Sequence, residues 1–96
     1  HMGAAGLAIL AARPASPSDA AAVLQARQAG YSLTQGELQK GAIGIASAIQ
    51  LGGAHGLSMF EACVGVVAME DLDTQTSAAL VMNCAQDLAT ALVAKQ

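Results

Sequence analysis

A chain of 96 residues with 54% apolar, 11% charged and 2% aromatic residues is one domain's worth, folding around a single modest core of Leu, Ile, Val, Met and Ala. Four Lys and Arg against seven Asp and Glu give a formal net charge of -3, which leaves no basic stripe to neutralise phosphates. Only Tyr31 and Phe60 could stack on bases, so no nucleic-acid partner is expected.

His1-Met2 reads as an expression scar, and residues 3–96 as one domain. The following apolar run, GAAGLAILAA, is too short to span a bilayer and lacks the basic flank of a signal peptide. It reads as a short helix over 4–12 or a packing arm. Ser16-Pro17-Ser18-Asp19 offers a hydroxyl cap, a proline suited to a first helical position and an acid in the first turn, predicting a helix over 17–29. Gly30 is placed to end it in the left-handed conformation.

Thr34-Gln35-Gly36-Glu37 matches a capping box, with Leu33 and Leu38 as a hydrophobic staple, and predicts a second helix over 35–51. Within it Leu38, Ala42, Ile45, Ile49 and Gly52 follow the four-and-three spacing of a bundle seam. Gly41, Gly44 and Ala48 form a neighbouring face with almost no side-chain bulk. Such a face lets another helix approach closely, or serves as a self-association surface or a groove for an apolar ligand. The stretch from Gly41 to Phe60 is uncharged, but Gln50, His55 and the break Gly52-Gly53-Ala54-His55-Gly56 interrupt it, so no transmembrane segment is expected.

A third box, Ser58-Met59-Phe60-Glu61, predicts a helix over 59–71 that is apolar nearly all round. That places it at the centre of the bundle or under a second copy of the chain, and Val66 and Met69 join the candidate interaction surface. Asp73 or Thr74 can cap a last helix over 74–94, with Lys95 at the negative end of its dipole. Residues 61–96 carry Glu61, Glu70, Asp71, Asp73 and Asp87 against that single cation, an acidic part that repels anionic surfaces. With no sustained alternation of β-branched residues, the sequence predicts an all-α fold, a compact four- or five-helix bundle with short loops.

Cys63 and Cys84 are equidistant from the proposed turn Leu72-Asp73-Thr74. If both faced inward in an antiparallel helical hairpin they could form a disulfide, implying an exported or periplasmic protein. Otherwise they are two buried thiols of a cytoplasmic chain. They do not have a zinc spacing. His55, Ser58, Glu61 and Cys63 nominally supply a base, nucleophiles and a carboxylate, but no nucleophile elbow accompanies them. No Glu-x-x-His pair, phosphate loop or EF-hand spacing occurs, so neither catalysis, cofactor nor metal is expected.

The segment Val23-Leu24-Gln25-Ala26-Arg27-Gln28-Ala29-Gly30-Tyr31-Ser32-Leu33-Thr34-Gln35-Gly36-Glu37-Leu38 resembles the closing part of the Nif11-like leader domain. There an Ala-x-x-Ala-Gly-aromatic core precedes a Thr-x-x-Glu-Leu helix start, and the likeness covers about residues 15–39. It implies a ribosomal peptide precursor whose leader is read by a modifying enzyme and removed after two glycines. Gly52-Gly53 would be that processing site, releasing Ala54–Gln96. The residues by themselves point first to a noncatalytic helical protein acting through a protein partner or through homo-oligomerisation. A bacteriocin-like secreted product and a small carrier of an apolar ligand are the alternatives.

Overall fold

In the computed structural model, which describes residues 3–36, 42–50, 61–69 and 73–94, three helices enclose an antiparallel sheet. The order is α1 (Ala4–Ala12), α2 (Ala21–Ala29), β1 (Ser32–Gln35), β2 (Ile43–Ala48), β3 (Cys63–Ala68) and α3 (Thr74–Ala94). The strands lie in the order β1-β2-β3, with Leu33 opposite Ile45 and Ile45 opposite Val66 in the two ladders. The fold is therefore α+β, and the expected all-α bundle is overturned by the sheet.

The error is a matter of period. Residues 43–48, expected inside a helix over 35–51, are the central strand. Ile43, Ile45 and Ile49 alternate with Gly44, Ala46 and Ala48, large against small, which is the two-residue period of a strand. Thr34 does not open a helix either. It lies buried in β1, paired with Gly44, and Gln35 closes the same strand, whereas Glu37 of that box, the staple residue Leu38 and the face residue Gly41 lie outside the described residues. Of the helix expected over 59–71, residues 63–68 form β3. Val64, Val66 and Val67 are the β-branched enrichment that argues for a strand when periodicity is ambiguous.

Two local signals, at Asp73 and Gly30, act as expected. Asp73 accepts the Thr76 N–H at 3.1 Å and the Thr76 hydroxyl at 3.0 Å, capping α3 and holding the Asp73 carboxyl below its ordinary range. Gly30 ends α2 at φ 87, a left-handed conformation that a side chain would strain. The start of α2 differs from expectation. Ser16 through Asp19 close a turn instead, with the Asp19 N–H on Ser16 O at 3.0 Å and the Ser16 N–H on Asp19 Oδ2 at 2.9 Å. The helix then begins at Ala21.

The pleat divides the core into two layers. On one face Ala4 and Ala8 of α1 pack against Ala46, with Cys63 at the margin. On the other, Ala78 and Val81 of α3 pack against Ile45, with Tyr31 and Val64 beside them. The α1 layer is thin because its residues are small, and the Ser32 hydroxyl donates to Ala4 O at 2.6 Å, binding α1 to the sheet. Arg27 of α2 joins the two short helices. Its Nε donates to Ala11 O at 3.1 Å and its Nη2 to Leu10 O and Arg13 O at 3.3 Å, meeting carbonyls at the C-terminal end of α1, where Leu10 O also accepts the Arg13 N–H at 3.2 Å.

Consecutive β3 residues thus face opposite layers, and this settles the cysteines. Cys63 packs on the α1 side, while α3, which carries Cys84, covers the other. Both thiols are free and Cys84 is exposed, so the disulfide expected from an antiparallel helical hairpin does not form. Among the described residues, no helix is long and apolar enough to cross a membrane.

Candidate interaction surface

The outer edge of β3 is defined by its hydrogen bonding. The Ile49 N–H donates to Ala62 O at 2.9 Å, which makes that pair a hydrogen-bonded one, and pairs alternate along an antiparallel ladder. In the observed register, Val64, Val66 and Ala68 therefore turn their main-chain groups toward β2. Cys63, Gly65 and Val67 turn theirs away from it. Among the described residues, no strand pairs with that edge. The strand reads CVGVVA, without the charge, proline or bulge by which edges are normally blunted.

Its side chains match this openness. Val67 is 78% exposed, Met69 52% and Val66 41%. Gly65 sits opposite Ala46, and a methyl group built on it would lie 2.6 Å from Ile45 O and 3.0 Å from Ala46 Cβ. Only glycine lets β3 lie this close to β2 at that position.

Beside this edge runs an apolar flank of α3. Ala78, Val81 and Ala85 are the buried line of the helix, which packs on β2 and β3. Met82 marks one flank, since a methyl group built on Gly30 would lie 3.1 Å from its Sδ, and Gly30 leads into β1. At 3.6 residues per turn, Leu80 and Cys84 fall on the opposite flank, toward the β3 edge. Leu80 is 64% exposed. The buried line continues through Leu88 and Leu92, yet these are exposed at 40% and 38%. The reason is length. Twenty-one helical residues span about 31 Å, whereas the six residues of β2 span about 20 Å, so the end of α3 outruns the sheet.

A second feature is an open cleft of about 440 Å³ between α1, α2 and the end of β2, lined by Ala8, Ala11, Ala26, Arg27, Tyr31 and Ala48 among others. Arg27 is committed there to the α1 carbonyls and to Asp19 Oδ2, which lies 3.1 Å from its Nη1. Asp19 is held below the ordinary carboxylate range by the Ser16 N–H first and by Arg27 second. At the rim Arg13 grips Glu61 with two hydrogen bonds, Nε to Oε2 at 2.7 Å and Nη2 to Oε1 at 2.8 Å. The pair joins the end of α1 to the entry of β3. It also lowers the Glu61 pKa, chiefly through the hydrogen bonds.

The residues singled out by sequence are dispersed. Gly44 is buried under α1, where a methyl group would meet Thr34 Oγ1 at 2.9 Å, and Ala48 lines the cleft. Val66 and Met69 stand on the open β3 side. Gly41, Gly52, Gly53, His55 and Ser58 lie outside the described residues, as does Lys95. Among the described residues, no three His, Cys, Asp or Glu side chains gather as metal ligands. Val67, Leu80 and Leu88 were not anticipated. For Val67, the β-branched run through residue 67 was the available signal, whereas the exposure of Leu80 and Leu88 depends on where the sheet ends. No protein-family model, curated protein or solved structure matches the chain.

Proposed function

We propose that this chain is a noncatalytic module that works by associating with a second copy of itself. The observation that carries this reading is the uncharged β3 edge, unpaired among the described residues, with the exposed apolar flank of α3 beside it. Unpaired strand edges and contiguous exposed apolar side chains are the surfaces that association buries. A second copy offers the same uncharged strand and the same leucines, so apolar surface meets apolar surface without setting a charge against it.

Sedimentation velocity over a wide concentration range tests it. A reversible monomer–dimer equilibrium is expected, shifted toward monomer by Leu80→Glu, which places a charge on the exposed flank without touching the buried line. A strict monomer throughout the range refutes the reading.

A second reading, a carrier of a small ligand, rests on the open cleft, whose volume falls within the ordinary range of ligand sites and whose lining sets Arg13, Arg27 and Gln50 beside its alanines. Native mass spectrometry of the freshly purified chain decides it by the presence or absence of a bound small molecule.

A further inference from the structure

The geometry points to a specific pairing: two chains join edge to edge through antiparallel β3 strands centred on Gly65, making one continuous six-stranded sheet. This rests on the self-association reading and specifies its interface. Three residues of β3 turn main-chain groups outward, Cys63, Gly65 and Val67, and they are spaced symmetrically about the middle one. A two-fold axis at Gly65 therefore sets Gly65 opposite Gly65 of the other copy, and Cys63 opposite Val67 in both directions. All three are then hydrogen-bonded pairs, with every outward N–H and carbonyl used. Shifting the centre by two residues leaves some of these groups unpaired.

The side chains fit the same register. On the α3 face Val64 of each copy stands opposite Val66 of the other, a cross-strand β-branched pair of the stabilising kind. On the α1 face the highly exposed Val67 gains Cys63 as its neighbour, and Gly65 contributes no bulk at the axis.

The helices fit as well. Strands in a sheet lie about 4.8 Å apart, and α3 rides over the β2–β3 pair, so its axis stands about one strand spacing from the two-fold. The two α3 axes are then about 9.6 Å apart, within the 8–10 Å at which helices pack. The flanks carrying Leu80 and Cys84 face one another across the axis. One operation thus closes the sheet edge and brings the exposed helix flanks together.

The test is disulfide trapping of Val67→Cys in a Cys84→Ser background. Position 67 is exposed enough for the fold to survive, which circular dichroism checks. In the proposed register the new thiol faces Cys63 of the other copy with Cα atoms about 5.5 Å apart, inside the span of a disulfide. Added diamide, the two-electron oxidant, should give a covalent dimer on non-reducing gels, lost when Cys63→Ser is added. Val67→Pro is the complement. It removes one outward N–H from each strand and none that bonds β2, so self-association should weaken about thirty-fold, at roughly a factor of five per hydrogen bond. A chain that dimerises by sedimentation but gives no Cys63-dependent cross-link, or is indifferent to Val67→Pro, overturns this pairing while leaving self-association standing. A chain that is monomeric throughout overturns both.

Discussion

Removing Arg27 tests the joint between the two short helices. Its guanidinium makes three hydrogen bonds to main-chain carbonyls, one at 3.1 Å and two at 3.3 Å. It is also the positive group nearest the negative end of α1, which has no basic residue in its last turn and an extended Arg13 in place of a left-handed cap. A hydrogen bond involving a charged partner contributes about 1.5–3 kcal/mol. The side chain is about a quarter exposed, two of the bonds are long, and water can take over the freed carbonyls. The sum is therefore held to about 2 kcal/mol for Arg27→Ala. At roughly 4–8 °C per kcal/mol for a domain of this size, the melting temperature should fall by roughly 8–16 °C. Arg27→Lys should lose about half as much. An ammonium keeps the charge but cannot reach carbonyls of Leu10, Ala11 and Arg13 with one planar fork. Thermal unfolding followed by circular dichroism at one protein concentration gives both numbers, and hydrogen exchange in α1 should quicken first. An Arg27→Ala variant within about 0.5 kcal/mol of the parent, the range of ordinary surface changes, would refute this account, as would a lysine that replaces arginine fully.

Gly65→Ala should destabilise by about 1–3 kcal/mol, the usual cost of overpacking, because the methyl group meets Ile45 O at 2.6 Å. That outweighs the roughly 0.5–1 kcal/mol that replacing a strand glycine otherwise returns; a neutral or stabilising outcome in urea unfolding means that β3 does not lie against β2 as described. Acid should weaken the fold. The Asp19, Glu61 and Asp73 pKa values are lowered by their partners, so their contribution is complete above the unfolded-chain values, about 4, and is lost as pH falls through the lower folded ones. In a carbon-detected NMR titration, Arg13→Gln should return the Glu61 midpoint to the ordinary glutamate range, and an unmoved midpoint means that the pair is not formed in solution.

The stretch from Gly30 to Glu37 shows where reading the sequence succeeds and stops. Gly30 ends its helix as its chemistry requires, since that choice involves only the preceding turn. Four residues later Thr34 and Glu37 have the spacing of a capping box, but Thr34 is in a strand. Nothing in the spacing distinguishes a hydroxyl that caps a helix from one buried opposite Gly44. The segment around Ile45 satisfies the four-and-three seam and the two-residue alternation together, because small residues separate its isoleucines. Propensity could not separate these periods, and pairing with strands on both sides did.

By itself the sequence indicated a last helix capped by Asp73 or Thr74, a short apolar segment at 4–12, the Gly30 stop and a composition with few cations. Each of these depends on residues within a turn or two of one another, or on simple composition. Only the tertiary structure decided that residues 43–48 and 63–68 are strands, since the ladder that makes them so joins Ile43 to Ala68 across the chain. It decided the cysteines too, because a pleat turns Cys63 toward α1 while α3 covers the opposite face. Which apolar residues remain open was settled the same way: Val67 and Leu80 look no different in sequence from Val81, and only the positions of the sheet's edge and end leave the first two uncovered.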